Sequence, residues 1–137
     1  MTGLRRLRIN VFVHAVIETN AFLRDAKAAG VSDDERADIV SEIAKNPKIG
    51  DIMEGTGGVR KFRFAGRGHG KSGGYRIVSY FGGEDVPVFV LGALSKGEKS
   101  NLSKATRNEL KSVVATIADD YRAAMRARLH FLGKRRT

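Results

Sequence analysis

VRKFRFAGRGHGKSGGYRIVSYFGGEDVPVFVLGAL, residues Val59–Leu94, decides how this chain folds. Val59–Ala65 alternates: Val59, Lys61 and Arg63 fall on one face, Arg60, Phe62 and Phe64 on the other, the two-residue period of a β-strand. Five glycines among the nine residues Gly66–Gly74 then make a flexible hairpin loop. Tyr75–Phe81 alternates again, and Gly82–Asp85 is a turn. Val86–Leu94 is apolar almost throughout and reads as a central strand, with Pro87 tolerated near its start. The stretch predicts three antiparallel strands.

Upstream, Val11–Thr19 is rich in β-branched residues and predicts a first strand. Asn20 can cap a short helix over Ala21–Ala29, which Gly30 stops. Ser32 and Glu35 have the spacing of a capping box. A second helix then runs to about Lys45, with Ile39, Val40, Ile43 and Ala44 on one face, and Asn46-Pro47 ends it. Residues 47–58 read as a loop. Downstream, Ser103 can cap a last helix whose apolar positions Leu110, Val113, Val114, Ile117 and Tyr121 recur at helical spacing. The order is β-α-α-β-β-β-α. It predicts one α+β domain spanning residues 1–137, with a small antiparallel-rich sheet and helices packed on one face. The core runs from about 11 to 118, flanked by a basic extension (1–10) and a basic tail (122–137).

The chain has 137 residues, 42% hydrophobic, enough for one modest core. It has no cysteine, which excludes disulfides and thiolate metal sites. No apolar run reaches the length of a membrane span, and His14 and Glu18 interrupt the apolar start that a signal peptide would need. A cytoplasmic protein without a membrane partner is expected. Net charge is +10, unevenly spread: residues 55–137 hold 17 Lys/Arg against 6 Asp/Glu, while residues 1–54 hold 8 against 9. An excess this local is a footprint for phosphate-rich partners, nucleic acid above all.

Two motifs resemble chemistry without its context. Gly68–Gly73 matches G-x-G-x-x-G, and Gly70-Lys71-Ser72 looks like the end of a phosphate loop. Both need a following helix to hold the phosphate, and here a strand pattern follows. The histidines His14, His69 and His130 form no evident pair; His14 reads as structural and His130 as solvated. His69 is a plausible RNA contact.

The strand pattern does assemble cations. Lys61 and Arg63 share a face, and an antiparallel partner brings Arg76 near them, with Lys96 just past the third strand. Fixed cations of this kind can lower the pKa of an attacking 2′-hydroxyl, neutralise phosphoryl oxygens and shield a leaving oxygen. A lysine crowded by other cations can shuttle protons. On charge alone, a face that only binds is equally well served.

With these residues in place, the chain from about Val16 to Ile117 resembles the RelE/HigB family of toxins. The resemblance is carried by IETNAFLRDAK, NPKIGDIMEGTGGVRKFRFAGRGHGKSGGYRIVSYF and SKGEKSNLSKATRNELKSVV. The middle stretch is the most specific and is similar to the HigB branch. The resemblance implies the RelE-like fold and a ribosome-dependent mRNA endonuclease working without metal or cofactor. It also implies a cognate antitoxin, often of helix-turn-helix type, through which the complex binds operator DNA. Lys61, Arg63, Arg76 and Lys96 are the catalytic candidates, and Arg60, Arg67, His69, Lys71 and Lys99 the RNA-binding ones; of these the likeness matches Lys61, Arg63, Arg76, Lys96 and Lys99 to basic positions of the family. Leu94 stands where relatives often carry tyrosine, and Ser95 and Gly97 where Gly and Asn are usual. A non-catalytic ribosome or RNA binder and a ParE-like, gyrase-targeting toxin are the alternatives.

Overall fold

A computed structural model describes residues 13–66, 74–95 and 102–136. In chain order its elements are β1 (Val16–Glu18), α1 (Asn20–Ala29), α2 (Asp33–Lys45), β2 (Asp51–Ile52), β3 (Val59–Phe64), β4 (Tyr75–Tyr80), β5 (Val88–Ser95) and α3 (Lys104–Arg136). The strands form one sheet in the order β1-β5-β4-β3-β2. β2–β3, β3–β4 and β4–β5 are antiparallel, and β1 joins β5 in parallel. The fold is therefore α+β with a mixed sheet. β4 follows the glycine loop, so the phosphate-loop likeness does lack its helix.

Local chemistry sets the helix ends. Thr19, rather than Asn20, caps α1, its hydroxyl accepting the Phe22 N–H at 3.2 Å. Gly30 closes α1 in the left-handed region. The Ser32–Glu35 capping box forms in both directions, at 3.1 and 2.9 Å, and α2 ends at Lys45 as its pattern requires. The first strand is shorter than the expected Val11–Thr19, and the last begins at Val88 because Pro87 has no N–H to give a ladder. Two residues of the expected loop, Asp51 and Ile52, pair with Lys61 and Arg60 and add β2 to the expected order.

One expectation is corrected. The helices do not share one face. Phe22, Ala26, Ile39 and Ile43 of α1 and α2 pack on Phe62, Phe64, Ile77, Val88 and Val90. On the opposite face Val114 of α3 meets Val59, Val78 and Met53, while Ala118 meets Phe89 and Val86. The reason is that β4 and β5 are apolar on both sides, and a second apolar face must also be covered. Each fully buried Phe or Ile contributes about 1.5–3 kcal/mol relative to exposure. α3 also runs on through the basic tail to Arg136. No helix among the described residues is long and apolar enough to cross a membrane.

Because β1 stops at Glu18, no strand among the described residues lies beside the β5 edge beyond Val90. Asp25 of α1 fills part of that gap, its carboxylate accepting the Ala93 N–H at 3.2 Å. A β-bulge between Val78 and Ser79 of the β4–β5 ladder leaves Leu91 without an opposing residue.

Candidate nucleic-acid interface

The β3–β4–β5 ladder sets out the cations in rows. Arg63 stands directly opposite Arg76, and Arg76 opposite Leu94. The next row toward the middle of the sheet is Lys61, Val78 and Gly92. Opposed Cβ atoms in such ladders stand about 4.5–5.5 Å apart. Lys61, Arg63 and Arg76 thus share the α3 face as expected. α3 covers only the Val59 and Val78 part of that face, leaving Arg63 exposed and Lys61 and Arg76 half-buried. Asp51 of β2 stands opposite Lys61 on its outer side.

The cluster is held from several directions. Arg63 folds over the base of the hairpin: a Cβ on Gly74 would stand 3.4 Å from its Nε. Behind Arg76, Tyr75 turns the other way and its hydroxyl donates to the buried Glu35 carboxylate at 3.4 Å. Burial first, then the Glu35 charge and this hydrogen bond, hold the Tyr75 phenol above its ordinary pKa, so it stays a donor that ties β4 to α2. The Gly55-Thr56-Gly57-Gly58 approach to β3 is pinned by Thr56, which is fully buried. Its hydroxyl donates to the Met53 carbonyl at 2.6 Å and accepts the Val59 N–H at 3.0 Å. Gly50 lies with φ +96°, and a Cβ there would fall 2.3 Å from the Lys61 carbonyl oxygen. Only glycine lets the loop approach β3 so closely at this φ.

Other candidates are placed elsewhere. Arg60 points to the opposite face from Lys61 and Arg63, and its Nη1 donates to the Lys48 and Gly50 carbonyls, both at 3.1 Å. The structure gives it a bracing role beside Gly50. Arg67, His69, Lys71, Lys96 and Lys99 lie outside the described residues. His14 is structural as expected: Nε2 lies 2.6 Å from the Val86 carbonyl and the ring meets Phe81. His130 is exposed. Sequence reading missed Arg107, which ties the start of α3 to the Glu54 carbonyl at 2.5 Å and to Leu102 at 3.2 Å. Nothing in its local sequence signals that reach. Beside the arginine row, Leu94 borders a groove of about 430 Å³ between α1 and α3, shared with Leu91, Leu102, Leu110, Val113 and Arg24.

The paired strands β3 and β4 thus carry three cations on one face of an α+β scaffold, a local positive charge of the sign that attracts polyanions. A family model described as the RelE toxin of the RelE / RelB toxin-antitoxin system matches residues 14–136. The chain belongs to the RelE toxin family: it is the toxin of a toxin–antitoxin pair, and its partner is an antitoxin.

Proposed function

We propose that this toxin is a ribosome-dependent mRNA endonuclease that cuts translated mRNA in the ribosomal A site without a metal or cofactor. The carrying observation is the directly opposed pair Arg63 and Arg76 with Lys61 on the same face. Like charges facing across a ladder oppose folding, and a phosphodiester between them reverses the sign of that term. Arg76, central in its row, takes the non-bridging oxygens of the scissile phosphate in a two-pronged contact. Arg63 and Lys61 flank it and stabilise the attacking and leaving oxygens. The 2′-oxygen loses its proton and bonds to phosphorus, the bond to the 5′-oxygen breaks, and that oxygen takes up a proton. Lys96, which follows β5 at once in sequence, completes the set. Arg67, His69, Lys71 and Lys99 supply RNA contacts, and Arg60 acts by holding β3 in place. The antitoxin is a helix-turn-helix protein that carries the pair to operator DNA, and the toxin acts in the cytoplasm.

The test is a defined ribosome complex with a labelled message and an empty A site. Toxin stripped with chelator and then desalted should cut the message within the A-site codon at the magnesium level the ribosome itself needs, and should leave free RNA intact. Arrest of translation with intact mRNA would favour the non-cleaving binder. Growth arrest through inhibited DNA supercoiling would favour a gyrase-directed toxin.

A further inference from the structure

α3 is 33 residues long, about 50 Å at 1.5 Å per residue. The sheet beneath it ends sooner. Its inner stripe, through Leu110, Val114, Ala118 and Tyr121, is covered by Val78, Phe89 and their neighbours. Arg122 then anchors the helix to the β4–β5 turn through Asp85 and the Gly82 carbonyl. Past that anchor the same stripe continues, uncovered among the described residues. Met125, Leu129 and Leu132 are 37%, 67% and 46% exposed. At about 100° per residue these three fall within about 60° of arc, in line with Ala118 and Tyr121. Arg126 and Arg128 flank the stripe on opposite sides, both exposed, and no acidic residue follows Asp120.

We propose that Met125, Leu129 and Leu132 form a docking seam for an acidic amphipathic helix of a partner protein, packed as in a two-stranded coiled coil. Its apolar residues would cover the stripe, and its flanking carboxylates would meet Arg126 and Arg128. Charge selects this occupant. A second copy of the chain would bring the same arginines against themselves. The chain's own residues 1–12 carry Arg5, Arg6 and Arg8 and no acid, so they too would set like charges against the flanks. A lipid surface calls for an unbroken apolar face, whereas here Arg128 falls between Leu132 and the other exposed apolar side chain, Phe131, at about 100° per residue. Nucleic acid would use the arginines and leave the apolar stripe bare. The seam is remote from the Arg63–Arg76 row, so the inference stands or falls apart from the reading of RNA cleavage.

The test uses the full chain and a labelled synthetic helix of about four heptads with Leu at the seam and Glu on both flanks. Fluorescence anisotropy should show binding that weakens with salt. Leu129→Asp with Leu132→Asp should weaken it at least about tenfold without changing the melting temperature, because these side chains are exposed. Arg126→Glu with Arg128→Glu should reject the Glu-flanked helix and accept a Lys-flanked one, a reversal that a merely sticky surface would not give. Arg76→Ala should leave peptide binding unchanged. Absence of peptide binding would overturn the proposal. So would self-association that Leu129→Asp abolishes, or binding to vesicles of anionic phospholipid in preference to the peptide.

Discussion

Arg63 and Arg76 at one end of the sheet and Arg126 and Arg128 on the overhang at the other carry the same charge on different supports. The first pair sits at opposed positions of a six-residue ladder, between neighbouring strands, with Arg63 lying close to Gly74. Two guanidinium groups directly opposed there repel one another, and the register keeps them in place before any ligand arrives. The second pair lies on opposite flanks of one exposed helix, where repulsion is slight and the surroundings fix little. Net charge describes both pairs equally. What separates them is preorganisation: cations fixed by strand register can stabilise a transition state, whereas cations on a free helix can steer and select a partner.

The sharpest way to break this contrast is to truncate one member of each pair. Arg76→Ala should lower the single-turnover cleavage rate about a hundred- to a thousandfold, as loss of one preorganised donor does. Ribosome affinity should change far less, because many other cations supply the salt-dependent attraction. Arg76→Lys should restore little, since an ammonium cannot copy the planar fork. Arg126→Ala should leave the saturated rate unchanged. Equal rate losses at both ends would end the distinction.

Preorganisation can also be attacked from behind. Gly50→Ala places a Cβ against the Lys61 carbonyl at 2.3 Å with φ at +96°, so backbone must move. Destabilisation of about 1–3 kcal/mol is expected in urea unfolding. Cleavage should fall with it, even in conditions where the variant remains folded, while the acidic peptide should still bind the overhang. An unchanged rate in a folded Gly50→Ala protein would mean that the placement of Lys61 does not matter.

A gain is expected at Leu94. It stands opposite Arg76 on the same face and borders the apolar groove, where an aromatic ring could stack on a base. Stacking of one base contributes about 1–3 kcal/mol. Leu94→Tyr should therefore raise kcat/KM about five- to tenfold, the low end of that range, because the ring must also be ordered. No gain, with a normal melting temperature, would show that bases do not reach β5.

Much of this contrast was legible in the sequence. Period-two alternation put Lys61 and Arg63 on one face and carried Arg76 to them, and Gly30 and the Ser32–Glu35 box marked helix boundaries correctly. The parts that were not legible depend on distant partners. Glu35 read as a cap, and nothing local showed that it also meets Tyr75 forty residues away. The close approach of Gly50 to Lys61 and the buried hydroxyl of Thr56 are likewise tertiary facts. β2, with two residues, is too short to carry a period. Two signals were present and under-read. β4 and β5 are apolar on both faces, which calls for helices on both sides, and Met125, Leu129 and Leu132 continue the helical spacing into the tail.

The smallest expected effect concerns the joint between the two regions. Asp85 accepts Arg122 Nε at 2.6 Å and Nη2 at 2.8 Å, and Asp119 accepts Nη1 at 2.8 Å. The hydrogen bonds from Arg122 hold the Asp85 carboxyl below its ordinary pKa. A carboxyl whose folded pKa is depressed adds stability that is fully present above its unfolded value, about 3.9, and is lost as pH falls through the folded one. The brace is therefore constant across neutral pH and weakens only in acid, below about pH 4. Because the pair is exposed, salt should screen it and the change in melting temperature should be slight. Amide exchange is the better measurement. Asp85→Asn should speed exchange in residues 122–134 at neutral pH, and should remove the acid-induced increase expected there in the parent protein. The β3–β4 ladder should exchange as before. If acid loosened the ladder and the overhang together in both proteins, Arg122 would not be the joint, and the overhang could not be treated as a separate support for its charges.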